Sequence, residues 1–161
     1  MATTLPVPIE FELPPGWVAA PPDELGAPGA AFVALHPDVR SSGFTANITI
    51  GGEYRMDPAT LADIADESVE TLAGAATAAT LASRNEFGDP DAPGLTQLVR
   101  IRDEVGGIER ALAQCQVYLS MSDVDDDRRR VVLRLALTAT EDQIRDVIAD
   151  FQRFVSSIRP E

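Results

Sequence analysis

The stretch LTQLVRIRDEVGGIERALAQCQVYLSM (residues 95–121) decides the fold of this chain. Two runs of alternating side chains, Leu95–Glu104 and Ile108–Met121, flank Val105-Gly106-Gly107. A glycine pair between alternating runs marks a tight hairpin, because the turn needs backbone conformations that only glycine adopts freely. A two-residue turn at the glycines sets the pairing. Asp103 faces Arg110, a favourable cross-strand ion pair, Ile101 faces Leu112, Val99 faces Gln114, Gln97 faces Gln116 and Leu98 faces Cys115. Alternation then puts Gln97, Val99, Ile101, Leu112, Gln114, Gln116 and Tyr118 on one face. Ala113, Cys115, Val117 and Leu119 take the other, with Arg100 and Arg102 nearer the turn.

Outward from the hairpin, Arg130–Ala139 reads as the last strand, with Val131, Leu133, Leu135 and Leu137 on one face. Thr140 and Gln143 then form a capping box. Ile144, Val147, Ile148, Phe151, Phe154, Val155 and Ile158 recur at helical spacing up to Pro160 and predict an amphipathic C-terminal helix. Towards the N-terminus, residues 77–87 read as a strand. Asp57-Pro58 predicts a helix start, a capping carboxylate followed by proline at the first helical position. The helix runs to about Ala73, with Leu61, Ile64, Ala65, Val69 and Leu72 inside and Asp63, Asp66, Glu67 and Glu70 outside. Residues 9–13 alternate as a strand and 18–29 read as a Pro/Gly/Ala loop. Ala31–Leu35 is a short strand stopped by His36-Pro37. A polar turn over 38–43 leads to a strand Phe44–Ile50, punctuated by Gly51-Gly52. These elements predict one α+β domain over residues 1–161, with a mostly antiparallel sheet of about six or seven strands and two main helices.

The composition removes several function classes. Of 161 residues 45% are hydrophobic, which excludes a disordered chain, and the net charge of −13 argues against nucleic acid or an anionic membrane surface. All 13 basic residues are arginine, so there is no lysine for a Schiff base, a pyridoxal phosphate or a Walker motif. His36 is the only histidine, which rules out a multi-histidine metal site. The acidic run Asp123, Asp125, Asp126, Asp127 lacks the spacing, glycine and closing glutamate of a calcium loop. With Arg128, Arg129 and Arg130 it reads as a self-neutralising turn. No apolar run is long enough to span a membrane. Met1–Pro8 has neither a basic region nor a hydrophobic run, so no secretory signal is expected and the expected location is cytoplasmic. No catalytic motif, cofactor or metal is expected.

The element order, together with Phe11-Glu12-Leu13-Pro14-Pro15-Gly16-Trp17, the Asn47-Ile48-Thr49-Ile50 strand, the helix from Asp57 and the terminal Thr140–Ile158 helix, resembles the PsbP/Mog-like α/β/α superfamily. Within it the chain looks most similar to small bacterial LpqN-type and Eag-chaperone-type proteins. The resemblance implies an α/β/α sandwich and a non-enzymatic role in binding proteins: photosystem subunits, a nuclear-import GTPase or the hydrophobic segments of secreted effectors. LpqN-type members are exported lipoproteins, and this chain departs from them in lacking a lipobox cysteine. Eag-type chaperones are cytosolic and use a concave sheet surface. A helix-grip domain, binding a small molecule in a pocket between the sheet and the C-terminal helix and with enzymatic activity as an option, is the alternative.

Gln97, Gln114, Gln116 and Tyr118 form the candidate partner-binding set, because amides among apolar groups suit the core of an interface. The competing reading is that these amides are satisfied beneath a helix. Asn47 joins them if strand order permits. Trp17 is a candidate anchor, against the bland reading of a core tryptophan. Cys115 reads as a small buried hydrophobe rather than a reactive thiol. The expected partner is a protein segment, an effector or a second copy of the chain.

Overall fold

The computed structural model describes residues 9–20, 30–41, 44–55, 57, 59–89, 92–105, 107–122 and 130–160. At its centre β6 (Ala92–Val105) and β7 (Ile108–Ser122) pair in the register expected from the glycine turn: Asp103 opposite Arg110, Ile101 opposite Leu112, Gln97 opposite Gln116. Gly107 sits at φ +81°, a conformation L side chains rarely adopt. Arg110 Nη2 and Nε reach the two carboxylate oxygens of Asp103 at 3.0 and 3.2 Å, a two-pronged bridge across the strands.

Antiparallel strands extend the ladder on both sides. β5 (Ala78–Asp89) folds back along β6, with an irregularity between Leu81 and Ser83. β8 (Arg130–Thr140) pairs with the other edge of β7, and β4 (Phe44–Arg55) with β8. β3 (Phe32–Ser41) and β2 (Val18–Ala20) complete a seven-stranded sheet in the order β2-β3-β4-β8-β7-β6-β5. A separate two-stranded ribbon joins β1 (Ile9–Glu10) to β9 (Arg159–Pro160), tying the two ends of the described chain together.

Several strands run further than their sequence punctuation predicts. β4 continues through Gly51-Gly52 to Arg55, because the ladder against Arg134 and Leu133 of β8 stays unbroken. Glycine weakens a strand locally, but a paired neighbour can hold it. β3 passes through His36-Pro37, and its register against β4 breaks between Leu35 and Arg40, the kind of irregularity at which a strand tolerates proline. Val18–Ala20 is a strand where a loop was expected. Of residues 9–13 only Ile9 and Glu10 pair, while Phe11 and Leu13 pack against the core. The expected loop over 21–29, the tip of the turn at 42–43, Pro58, Gly106 and the turn over 123–129 lie outside the described residues.

Helix α1 (Leu61–Ala75) starts at Thr60 rather than Asp57. Thr60 and Asp63 make a reciprocal capping box, with Asp63 N to Thr60 Oγ1 at 3.1 Å and Thr60 N to Asp63 Oδ2 at 3.0 Å. Asp57 instead bonds Arg55. Helix α2 (Ile144–Ser157) follows the expected Thr140/Gln143 pair, whose reciprocal bonds measure 2.9 and 3.2 Å and turn the chain directly off β8.

The helices lie on opposite faces and over different halves of the sheet. Val147, Phe151 and Phe154 of α2 pack on Ile48 and Ile50 of β4 and on Leu133, Leu135 and Leu137 of β8. Leu61, Ile64 and Ala65 of α1 meet Leu95, Tyr118 and Val132, while Val69 and Leu72 meet Val99, Ile101 and Leu112. Each face is therefore covered by a helix over one half only. The space between the sheet and α2 is filled by Val147, Phe151 and Phe154, each no more than 1% exposed.

Phe151→Ala is expected to destabilise the fold by about 3–5 kcal/mol, because a buried ring is removed and its surroundings relax only in part. Chemical denaturation showing a loss under about 1 kcal/mol, an ordinary point-mutant effect, would contradict this packing.

Candidate functional site

On the α1 side the helix packs over β5, β6 and β7, reaches β8 only at Val132, and leaves the rest of β8 and β4 without a helix over them. The step between helix and bare sheet is a groove of about 440 Å³. Thr49, Gly51, Val132, Arg134 and Ala136 form its floor; Ser68, Thr71 and Leu72 of α1 form one wall; Gln114 and Tyr118 lie where helix and sheet meet. The register explains the floor. Thr49 faces Ala136 and Gly51 faces Arg134, so alternate residues of two neighbouring strands present small side chains around a single cation.

The amides of the hairpin face lie together as expected, but most of them are covered. Gln97 and Gln116 are 2% and 1% exposed and Tyr118 is 2% exposed, all beneath α1. The expectation of an open surface at these three residues is therefore corrected: the apolar stripe of α1 seats on Leu95, Val99, Ile101 and Leu112 and buries the amides between them. Their hydrogen bonds are met internally. Gln97 Nε2 donates to Gln116 Oε1 at 2.6 Å and to the Ala65 carbonyl at 3.2 Å. Gln116 Nε2 donates to Ser68 Oγ at 3.0 Å and Gln114 Oε1 at 2.5 Å, while the Tyr118 hydroxyl donates to Gln116 Oε1 at 3.1 Å. Burial pushes the Tyr118 phenol up from its ordinary value, partly offset by its bonds to Ser68 and Arg134.

Gln114 is half-buried and reaches the groove, donating to Thr138 Oγ1 at 2.9 Å. Asn47 stands in the same cross-strand row, opposite Thr138, which in turn faces Gln114. Its Nδ2 donates to the Thr45 carbonyl at 3.2 Å, and it is not among the residues that line the groove. Trp17 is 6% exposed and belongs to the α2-side core, its indole N–H bonded to Asp150 Oδ2 at 3.0 Å. Trp17 is thus the core tryptophan of the bland reading and not the candidate anchor: the ring is clamped against His36 at 5.0 Å and cannot face a partner. The preceding Gly16, at φ +92°, leaves room for that clamp, since a Cβ there would stand 2.9 Å from His36 Nε2.

The groove residues that sequence reasoning passed over are Arg134, Thr49, Ser68 and Thr71. Arg134 did carry a signal, as the one charged side chain inside the apolar Val131–Ala139 run. At one end of the groove Arg55 gathers Glu53, Asp57 and Glu67 at 3.1, 2.8 and 3.2 Å. Arg130 adds bonds to the Asp57 and Ala59 carbonyls. Hydrogen bonding to Arg55 holds the Asp57 carboxyl below its ordinary value, and the same carboxylates push the Arg55 guanidinium up. Among the described residues no group of three or more His, Cys, Asp or Glu side chains is arranged to hold a metal, and no helix is long and apolar enough to cross a membrane.

No family model and no curated protein sequence matches this chain. Solved structures share its fold. The PsbP of the cyanobacterium Synechocystis (CyanoP) is 18% identical over 95% of this chain and 86% of its own, with a TM-score of 0.63. The Ran-binding protein Mog1p of Saccharomyces cerevisiae is 14% identical over 94% and 89%, with a TM-score of 0.61. LpqN, involved in cell envelope biogenesis in Mycobacterium tuberculosis, is 12% identical over 93% and 81%, with a TM-score of 0.59. The fold is PsbP/Mog-like, as the resemblance read from the sequence implied.

Two outcomes follow from this geometry. Gln116→Glu is expected to cost more than about 2 kcal/mol, because a buried charge would place a lone pair against Gln114 Oε1. Gln114→Glu is expected to cost less than about 1 kcal/mol, since Gln116 Nε2 and the Thr138 hydroxyl can both donate to the new carboxylate. Urea denaturation of the two variants compares them directly, and equal losses would contradict the burial difference. Separately, burial pushes the Cys115 thiol up, only partly offset by a hydrogen bond with Thr96. Less thiolate forms near neutral pH, so alkylation by iodoacetamide should be slower in the folded chain than in the urea-unfolded chain. Equal rates would show an accessible, unperturbed thiol.

Proposed function

We propose that this chain is a non-catalytic protein-binding domain that receives a partner segment in the groove between α1 and the β4–β8 half of the sheet. The observation that carries the reading is the half-covered sheet face: a paired, rigid floor bearing Gln114, Thr49 and Arg134, flanked by a helix and left without a covering element. A rigid sheet suits a recognition surface because its side chains are held in place before the partner arrives. Half-buried Leu72 on the groove wall, backed by the nearly buried Ile64, Val132 and Ala136, can pack against an apolar side chain of the segment, while the polar groups orient it. The shared fold with the Ran-binding protein Mog1p supports a protein-binding role.

The finer part of the proposal is a chaperone-like adaptor in the cytoplasm that shields a segment of another protein, in the simplest case an effector awaiting secretion. Gln114 is its central contact, with Asn47 in the same cross-strand row beyond Thr138. Gln97, Gln116 and Tyr118 act from below, holding Gln114 in place. A pocket for a small molecule beneath α2, the helix-grip alternative, is disfavoured by the packed core there.

A photo-crosslinking amino acid at Thr71, on the groove wall, tests the site against one at Arg153, on the exposed side of α2. The chain is expressed in cells that naturally carry it. Adducts with another protein at position 71, absent at 153 and lost when Thr49→Trp fills the floor, are the expected result. Adducts of the chain with itself at position 71 would make the groove a self-association surface. Equal adducts at both positions would remove the groove from consideration.

A further inference from the structure

The polar groups at the groove are not free to present either donors or acceptors, and the reason lies at the opposite side of α1. Arg84 of β5 bears only donors. Its Nε and Nη2 both point at Gln97 Oε1, at 3.0 and 2.7 Å, and Nη2 also meets Asp66 Oδ1 at 2.7 Å. The carbonyl end of the Gln97 amide is thereby held towards Arg84, and the Ala65 carbonyl independently requires the nitrogen end on the other side. Gln97 then donates to Gln116, Gln116 to Gln114 and Gln114 to Thr138. Reversing any one amide would set oxygen against oxygen or nitrogen against nitrogen along the row. The relay therefore runs in one direction, and the member of it that lines the groove, Gln114, has its carbonyl engaged and one N–H left to donate.

Arg134 adds a second donor group, and a charge. It lines the groove, faces Gly51 of β4 on one side, where there is no side chain, and Tyr118 of β7 on the other. Among the described residues no carboxylate pairs with it; the two glutamates of the groove, Glu53 and Glu67, are held by Arg55. The groove thus offers an amide N–H together with a guanidinium, while the Gln114 carbonyl and the Glu53 and Glu67 carboxylates are already engaged.

We propose that the groove recognises a peptide segment carrying one carboxylate among apolar side chains, with the carboxylate on Arg134 and a backbone carbonyl on Gln114. The proposal rests on the reading of the groove as a partner site and names the chemistry of the partner. A carboxylate matches the fork of an arginine in a way that no neutral group does. The apolar flanks follow from Leu72, backed by Ile64, Val132 and Ala136. The limit to one carboxylate follows from the net charge of −13, which repels a polyacidic chain at long range and leaves recognition to short-range contact.

The test is a selection of random twelve-residue peptides displayed on phage against the intact chain, followed by affinity measurements on synthetic peptides. Enriched peptides are expected to carry a single Asp or Glu flanked by apolar residues. Replacing that residue by its amide should weaken binding about tenfold or more, and Arg134→Gln should do the same to the acidic peptide. The two changes together should weaken it little further, which identifies them as partners. Gln114→Glu should repel the same peptides by a similar factor, with circular dichroism confirming the fold. Arg84→Met, which removes one of the two restraints on the Gln97 amide and leaves only the Ala65 carbonyl to orient it, should shift the Gln114 side-chain amide resonances and weaken the peptide several-fold. It should keep the acid-to-amide ratio, because Arg134 is untouched. Peptides abolished by Thr49→Trp but carrying no carboxylate, or indifferent to Arg134→Gln, would overturn the acidic specificity and leave the groove as a binding site. Peptides indifferent to Thr49→Trp, or no enriched peptide at all, would overturn the groove reading and the specificity with it.

Discussion

The antiparallel ladder between β6 and β7 is the constraint on which the rest of this structure depends. A strand presents alternate residues to opposite faces, so a slip of one residue would send every side chain to the wrong side. Here the turn at Gly107 and the bridge between Asp103 and Arg110 hold the register. That register sends Leu95, Val99, Ile101 and Leu112 towards α1, and Val117 towards the core beneath α2. Both helices take their seats from the same alternation.

The same alternation places three glutamines on the α1 face, where a helix of apolar residues must cover them. Burying an amide without a partner costs free energy, so the row survives only because each member answers the next. Arg84 closes it at one edge, bridging to Asp66 of α1. At the other end it opens into the groove. A buried polar row of this kind contributes less to stability than an apolar core of equal volume would. It fixes the direction of every donor, and that is what makes the groove chemically selective rather than merely vacant.

The offset of the two helices has a further consequence for charge. α1 carries Asp63, Asp66, Glu67 and Glu70 on its outer face, and of these Glu67 lines the groove whose floor carries a cation. Arg55 draws Glu53, Asp57 and Glu67 together at one end and removes much of that negative charge from the groove itself. Arg134 then acts within a few ångströms against a molecule that is acidic overall, a division between near and far fields that salt would screen unequally.

What the sequence determined by itself was local. Gly106-Gly107 with its flanking alternation specified the β6–β7 register, and Thr140, Gln143 and the spacing up to Ile158 specified α2 and its buried face, because turn chemistry, capping and periodicity act over a few residues. The Arg130–Ala139 strand announced its two faces in the same way. Strand endings were less legible: Gly51-Gly52 and His36-Pro37 read as stops, but β4 and β3 run through them because long-range partners hold the ladder there. Asp57 had the right chemistry for a cap, yet Arg55 claimed it and Thr60 took the role. The order β4-β8-β7-β6-β5, and with it the half of the sheet that α1 covers, was decided only by tertiary structure. Alternation shows that a strand has two faces. Which of them meets a helix, and so whether Gln116 is buried and Arg134 exposed, depends on contacts between segments far apart in the chain, which no local pattern encodes.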